Sequence, residues 1–539
     1  MERCTTYHSG WYQAMVPRCS AGAGWERYAE TGTTSECYQP LTTHHAYSKW
    51  IEHEIMSSST SAATTESLRA MFATHSLPDV LSKEPRFVNL SLQHAKLKLN
   101  SEAYKNWKEP PVPIYMQFFF FHIENQVEIL KGERAIVSQL GPYTYKELRH
   151  RSKVLLFDNA TISATTSKSY IFEPAMSVGD PRNDLVTTIN IPFVAMLQHL
   201  KYSGMAKKLI ATALFALKNS TLFQTHSVDE LLWGYEDPFL QLGHKLLPSF
   251  FPDSRFGLFY GVNGTDDGEY LFNTGKKDYM KFTKIITWKG QKSLSWWTSS
   301  SCNMINGTDG ASFHPLINKH QTLYIFASDI CRSLYVKFEK ELEVRGINAY
   351  RFVVPKEVFA IGHPNNKGFC LSGNCQLPGI LNISICRQGV PIFISSPHFY
   401  NGDQKLVSDI VGMEPNTETH QTYIDIEPVT GIPVRVAKRM QINIHVESVK
   451  YIIQTGQIRT MILPVIYLNQ NVLIDDKSAA KLKWALRKMN IVIYIPHVIL
   501  WIGIVLFLTS LFLAIVACRR KENKDFTPVI LKLSEAETY

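Results

Sequence analysis

The chain has 539 residues, with 56 Lys+Arg against 47 Asp+Glu for a net charge of +9. With 45% hydrophobic and 19% charged residues it can bury a sizeable core and is not disordered overall; its cations are thinly spread with no long basic block, which argues against a nucleic-acid binder. Nine cysteines exclude a disulfide-dense miniprotein but suffice for a few bridges in an oxidising compartment.

Residues 1–88 are polar, rich in His and Thr, and contain the low-complexity run SSSTSAATTES from Ser57 to Ser67. From Asn89 the pattern becomes globular. Pro113–His122 (PIYMQFFFFH) is aromatic and β-branched behind prolines, and so reads as a strand. Between Leu185 and Leu246 the apolar period lengthens to helical; Phe193–Lys218 is apolar nearly all round and is interrupted at Ser203–Gly204, which predicts two helices or one kinked helix. Leu334, Val336 and Phe338, then Leu342 and Val344, return to a period of two. Met440, Ile442, Ile444 and Val446 alternate with Gln441, Asn443 and His445. These are expected to be half-buried antiparallel strands.

Ile491–Cys518 contains no Asp, Glu, Lys or Arg, and its uninterrupted core Val498–Ala517 is long enough to span a hydrocarbon layer. Arg519, Arg520 and Lys521 follow at once and place the tail in the cytoplasm. The body before it should then lie outside the cytosol. Six glycosylation acceptors agree, at Asn89, Asn159, Asn219, Asn263, Asn306 and Asn382. A lumenal body needs a signal peptide or an N-terminal anchor, and residues 1–88 supply neither. We expect that stretch to be an atypical leader from a misassigned first exon rather than an unusual isoform. The chain thus divides into a leader (1–88), a lumenal glycosylated β body (89–490) with a helical insertion at about 185–246, a transmembrane helix (491–518) and a cytoplasmic tail (519–539).

Motifs for chemistry are absent: no HExxH, no GxSxG and no CxxC pair. Gly268–Lys277 (GEYLFNTGKK) spaces its glycines wrongly for a phosphate loop and lacks the Ser/Thr after Gly-Lys, so it reads as a turn. Cys370 and Cys375 could hold zinc only with a second pair, and a local disulfide suits a lumenal compartment better. No enzyme, metal or cofactor is expected.

A family resemblance rests on motifs in order along about four-fifths of the chain: WKEPPVPIYMQ (Trp107–Gln117), GPYTY (Gly141–Tyr145), FEPAMSVGDP (Phe172–Pro181), LLWGY (Leu231–Tyr235), CNMINGTDGASFHP (Cys302–Pro315), SDICRS (Ser328–Ser333), PHFY (Pro397–Tyr400), DIEPVTG (Asp425–Gly431) and AKRMQINI (Ala437–Ile444). On these the chain resembles the class B scavenger receptor family. Thr225–Tyr235 and Thr455–Leu468 are most similar to its lysosomal branch. The resemblance implies a mainly antiparallel β-barrel with an α-helical apical bundle, two membrane anchors, and a hydrophobic tunnel carrying sterols, phospholipids and other lipids. The first anchor is missing from this sequence. A large barrel can enclose a ligand cavity; Phe118–Phe121 could line it or simply fill a core. Two functions follow: a lysosomal membrane receptor that carries β-glucocerebrosidase and conducts lipid, or a cell-surface scavenger or adhesion receptor at the plasma membrane for lipoproteins, fatty acids or phospholipids.

Site residues follow from the same resemblance. It implies bridges Cys302–Cys386 and Cys370–Cys375, leaving Cys331 unpaired, although a pairing through Cys331 exists elsewhere in the family. Asp525, Val529 and Ile530 have the spacing of an acidic dileucine signal for adaptor proteins, with Val529-Ile530 standing where lysosomal relatives carry Leu-Ile. Cys518, at the membrane boundary, is a candidate acylation site. On the apical helices the apolar positions Phe193, Met196, Leu197, Leu200, Met205, Leu209, Ile210, Leu214 and Leu217 exceed one stripe. That excess predicts a partner-binding face or helix–helix packing, with Lys201, Lys207 and Lys208 steering an acidic partner. Relatives place a titrating His near Ser203. His199, about one turn earlier, would then release the hydrolase in acid, since an ordinary imidazole changes charge near pH ~6.5.

Overall fold

A computed structural model describes residues 96–246, 248, 251–370 and 377–525. Its strands, in chain order, are β1 (Ile114–Ile123), β2 (Ala135–Phe157), β3 (Thr161–Phe172), β4 (Leu185–Ile189), β5 (Phe223–Ser227), β6 (Tyr235–Glu236), β7 (Arg255–Phe256), β8 (Thr265–Asn273) and β9 (Ile285–Trp288). They continue as β10 (Leu323–Ala327), β11 (Arg332–Val344), β12 (Ile347–Val353), β13 (Ile380–Asn382), β14 (Ile392–Ser395), β15 (Ile410–Val411), β16 (Tyr423–Glu427), β17 (Ile432–Val446) and β18 (Met461–Leu473). The principal helices are α1 (Ile191–Lys201), α2 (Met205–Leu217), α3 (Val228–Trp233), α4 (Pro238–Leu246) and α5 (Asp476–Asp525).

One large sheet runs β10-β11-β12-β16-β17-β18-β1-β2-β3-β8-β9. Its two end strands, β9 and β10, are bridged by the segment at Gly307–Thr308. The Ile285 N–H donates to the Gly307 carbonyl at 2.8 Å, and Thr308 pairs in parallel with Ile325 of β10. Gly307 is required at this seam: it holds φ at 89°, and a Cβ there would lie 1.9 Å from the Tyr324 carbonyl oxygen. The result is the nearly closed antiparallel body that the alternating segments predict.

The inner face follows from register. Phe118 lies opposite Leu468 on one side and Tyr143 on the other, and Met116 lies opposite Gln470 and Tyr145. The other face of β2 and β3 carries the exposed Leu148 and Ile171. Phe118, Phe120 and Phe121 are completely buried in one apolar core, while Trp107, Phe272, Trp288 and Trp297 anchor a second. Each such side chain contributes roughly 1.5–3 kcal/mol by leaving water.

Strand β17 departs from its expected half-burial. Gln441 and Asn443 are fully buried: Ser395 and Phe393 of β14 flank them in the sheet, and the PHFY turn meets Gln441. Gln441 donates to Asn443 Oδ1 at 2.7 Å and accepts the His398 N–H at 2.7 Å, and Asn443 donates to the Phe393 carbonyl and Ser395 Oγ. A buried polar pair is tolerated when its hydrogen bonds are made.

The helical stretch is broken as its sequence predicts. Helix α1 starts on Asn190, whose side chain accepts the Phe193 N–H. It stops before Gly204, the extended N-cap of α2. The structure adds strands β4 and β5, which pair with each other across the two helices. Helix α5 packs its first turns, through Ala479 and Leu482, on Val344, Ile347, Ala349 and Val434. It then continues into the apolar, uncovered segment Val498–Arg519, a candidate membrane span. Residues 1–88, Asn89, Cys375, Val529 and Ile530 lie outside the described residues; Asp525 is the last residue of α5.

Candidate functional site

The apical helices divide their apolar residues between two tasks. In α1, Phe193, Val194 and Leu197 are buried, and Met196 and Leu200 pack on the same core. In α2 only Phe215 is buried, wedged 4.5 Å from the Phe193 ring and 5.2 Å from Phe239. One side of α2 is uncovered: Met205 is 54% exposed, Leu209 48%, Ile210 62% and Leu217 78%, beside Tyr202 at 87%, while Ala211 and Leu214 are half-buried. Helix α2 is fixed from below by Thr212, which donates to the Tyr451 carbonyl and accepts from Gln454 through its own carbonyl. Helix α2 is thus anchored while part of its apolar side stays uncovered, a feature found at interaction sites.

The sequence-predicted partner residues do not all reach that face. His199 and Lys207 are exposed and Lys208 half-exposed, whereas Met196 and Leu200 belong to the core side. Lys201 turns away to an ion pair with Glu447 at 2.6 Å, and that hydrogen bond holds its ammonium pKa above the usual value. Tyr202, exposed beside them, was not singled out from the sequence. His199 lies next to Gly389, where a Cβ would approach its ring at 3.9 Å.

The aromatic run resolves into packing. Phe118 meets Phe259 at 5.0 Å and Tyr145 at 5.6 Å, both edge-on, and Phe119 stacks on Tyr467 at 4.7 Å. Phe118, Phe120 and Phe121 are core residues, while Phe119 is half-buried against the same cluster.

The expected pairing of Cys302 with Cys386 is corrected. Cys331 bonds Cys386, with Cα atoms 6.6 Å apart, and Cys302 is a buried free thiol that donates to the Asn365 carbonyl at 3.3 Å. All three cysteines converge on one apolar cluster, so sequence motifs alone could not choose the pair; in space Cys331 lies within bridging reach of Cys386. Cys370 is disulfide-bonded. Cys518 is free and exposed near the end of the span. Of the acceptor asparagines, Asn159, Asn219 and Asn263 are exposed, while Asn306 and Asn382 are half-buried.

Two histidines not singled out from the sequence form a buried stack. The rings of His398 and His420 lie 4.4 Å apart and 9° from parallel. His398 Nε2 meets Gln139 Oε1 at 2.7 Å and its Nδ1 accepts the Glu414 N–H; His420 Nδ1 accepts the Asn416 N–H at 2.9 Å. Burial pushes both down to about 4. The PHFY motif was the available signal, but the partner ring stands outside it.

The CD36 family profile matches residues 80–514. The chain is 48% identical over 431 residues to rat Lysosome membrane protein 2, covering 80% of this chain and 88% of that protein, and 47% identical to the human protein over the same shares. Pig Scavenger receptor class B member 1 is 36% identical over 439 residues, covering 81% of this chain and 85% of that protein.

Proposed function

The chain belongs to the CD36 family, and from that premise we propose that it is a lysosomal membrane receptor that binds and delivers the hydrolase β-glucocerebrosidase and conducts sterol or phospholipid through its barrel. It is a receptor rather than an enzyme. The observation that carries the reading is the uncovered apolar face of α2, with Lys207 and Lys208 on the same helix. Similarity to Lysosome membrane protein 2 from rat and human supports the compartment. The α5 span holds the body on the lumenal side, and the tail, through Asp525, Val529 and Ile530, meets adaptor proteins. Release in acid acts through His199, exposed in the last turn of α1.

The second reading, a plasma-membrane scavenger receptor for lipoproteins and lipids, draws on the 36% identity to the pig scavenger receptor and on the Val-Ile tail. Expression in cells that lack their own hydrolase receptor separates the two. The proposal expects hydrolase and receptor together in lysosomes, and a Leu209→Glu/Ile210→Glu variant that reaches lysosomes without the hydrolase. Surface residence with secreted hydrolase overturns it.

A further inference from the structure

Before it reaches the span, α5 has two unlike faces. Ala479, Leu482 and Met489 are buried and Leu486 is half-buried, at the spacing of one helical face turned to the body. Lys477, Lys481, Trp484, Lys488 and Ile491 recur every three or four residues on the opposite face, and all are exposed. Trp484 is 60% exposed, and the Lys488 ammonium lies 3.7 Å from the centre of its ring. Arg487 is exposed beside them, whereas Lys483 is half-buried with its ammonium next to Gly346 of the β11–β12 turn.

The charge on this segment is uncompensated. Residues 477–488 hold five cations and no carboxylate. The carboxylates just before them are engaged: Asp475 accepts the Ser478 N–H, and Asp476 pairs with Arg345. Among the described residues, Lys477, Lys481, Arg487 and Lys488 have no carboxylate partner. On the cytoplasmic flank, residues 519–525 carry four cations and two carboxylates. The lumenal flank is thus at least as basic as the cytoplasmic one, against the bias that orients a span. These cations work against the topology they accompany, which asks for another role.

Helical rise gives their depth, because α5 is unbroken from Asp476 to Asp525. Lys488 stands about 4.5 Å above Ile491, where the uncharged stretch begins, and Trp484 about 10 Å above it. One headgroup layer is roughly 5–8 Å thick. A lysine stem carries its charge several residues along the helix axis, and Trp is the residue that settles at such a boundary.

From this arrangement we infer that Lys481, Trp484, Arg487 and Lys488 form a binding surface for anionic phospholipid headgroups of the lumenal leaflet. Continuity with the span identifies the occupant, since the chain itself holds this face against the leaflet. The surface lies outside the barrel and takes lipid that stays in the bilayer. It requires only the α5 span, and neither the hydrolase nor a lipid passage.

The test reconstitutes the full chain in nanodiscs of phosphatidylcholine with a minor fraction of phosphatidylglycerol. Native mass spectrometry then counts the lipids that each protein retains. All arms carry Arg519→Gln, Arg520→Gln and Lys521→Gln, so that only the lumenal flank is read. Each cation near an anionic surface is worth roughly fivefold in affinity. Adding Lys481→Gln, Arg487→Gln and Lys488→Gln should therefore lower phosphatidylglycerol enrichment at least about tenfold. Lys481→Arg with Lys488→Arg should keep it, and salt at about 1 M should reduce it, because screening then acts within about 3 Å. The melting temperature should not change, since all three side chains are exposed. Undiminished enrichment in the glutamine variant overturns the surface. A glutamine variant that keeps the lipid but loses β-glucocerebrosidase also overturns it, because the face then serves an acidic protein.

Discussion

Acid should loosen this fold through the stacked pair His398–His420, and a single substitution isolates the effect. Both imidazoles stand at about 4 in the native state, pushed down by burial, against 6.5 unperturbed. A folded pKa below the unfolded one means that the unfolded chain binds more protons between the two values. The stability these rings permit is therefore complete above about pH 6.5 and is lost as pH falls toward 4. Integrating the linkage from pH 7 to pH 5 gives about 2 kcal/mol for each ring, or on the order of 4 kcal/mol for the pair. Glu427 and Asp237, raised by burial, act in the opposite direction; they are present in parent and variant alike and cancel in the comparison. Asn at position 420 presents an acceptor to the Asn416 N–H and cannot titrate. Urea unfolding of the parent and of His420→Asn at both pH values should show the variant losing about 2 kcal/mol less on acidification, with the parent's stability at pH 7 nearly retained. An equal acid loss in both proteins would refute the argument.

Three further outcomes are expected. Non-reducing peptide mapping should recover Cys331 joined to Cys386, with Cys302 alkylated only after denaturation; a bridge from Cys302 would contradict the fold around the second core. Phe118→Ala should cost roughly 3–5 kcal/mol, because it empties a site enclosed by Tyr145, Trp233 and Phe259, whereas an open channel wall would tolerate it in the same urea titration. Changing Val529 and Ile530 to Ala should move the protein from lysosomes to the cell surface by microscopy, and unchanged residence would remove the tail signal.

Much of the framework was legible in the sequence because each element carried its own period. The two-residue alternation of Met440–Val446 lies within β17, the aromatic run became β1, and Ser203–Gly204 separates α1 from α2. What was not legible depends on neighbours distant in the chain. Strands β4 and β5 hid inside a helical stretch because they pair only with each other. Gln441 and Asn443 read as a solvated face, and only β14 and the PHFY turn supply the partners that let them be buried; the choice between Cys302 and Cys331 needs three-dimensional reach. One signal was present and unread: Lys438 is in phase with Met440 and Ile442, so a charge stood on the inward side of a strand whose facing was already clear. At the apex the excess of apolar residues was legible, but its division was not. Met196 and Leu200 pack inward, Lys201 is tied to Glu447, and the free face falls to α2.

The most direct measurement is the affinity of the purified full chain for β-glucocerebrosidase at pH 7 and pH 5, with Leu209→Glu/Ile210→Glu and His199→Gln measured alongside. The account predicts saturable binding at pH 7 that weakens below about pH 6, is lost in the double variant without loss of thermal stability, and holds a flatter pH profile in His199→Gln. No binding at pH 7, or binding that ignores the α2 substitutions, would contradict it.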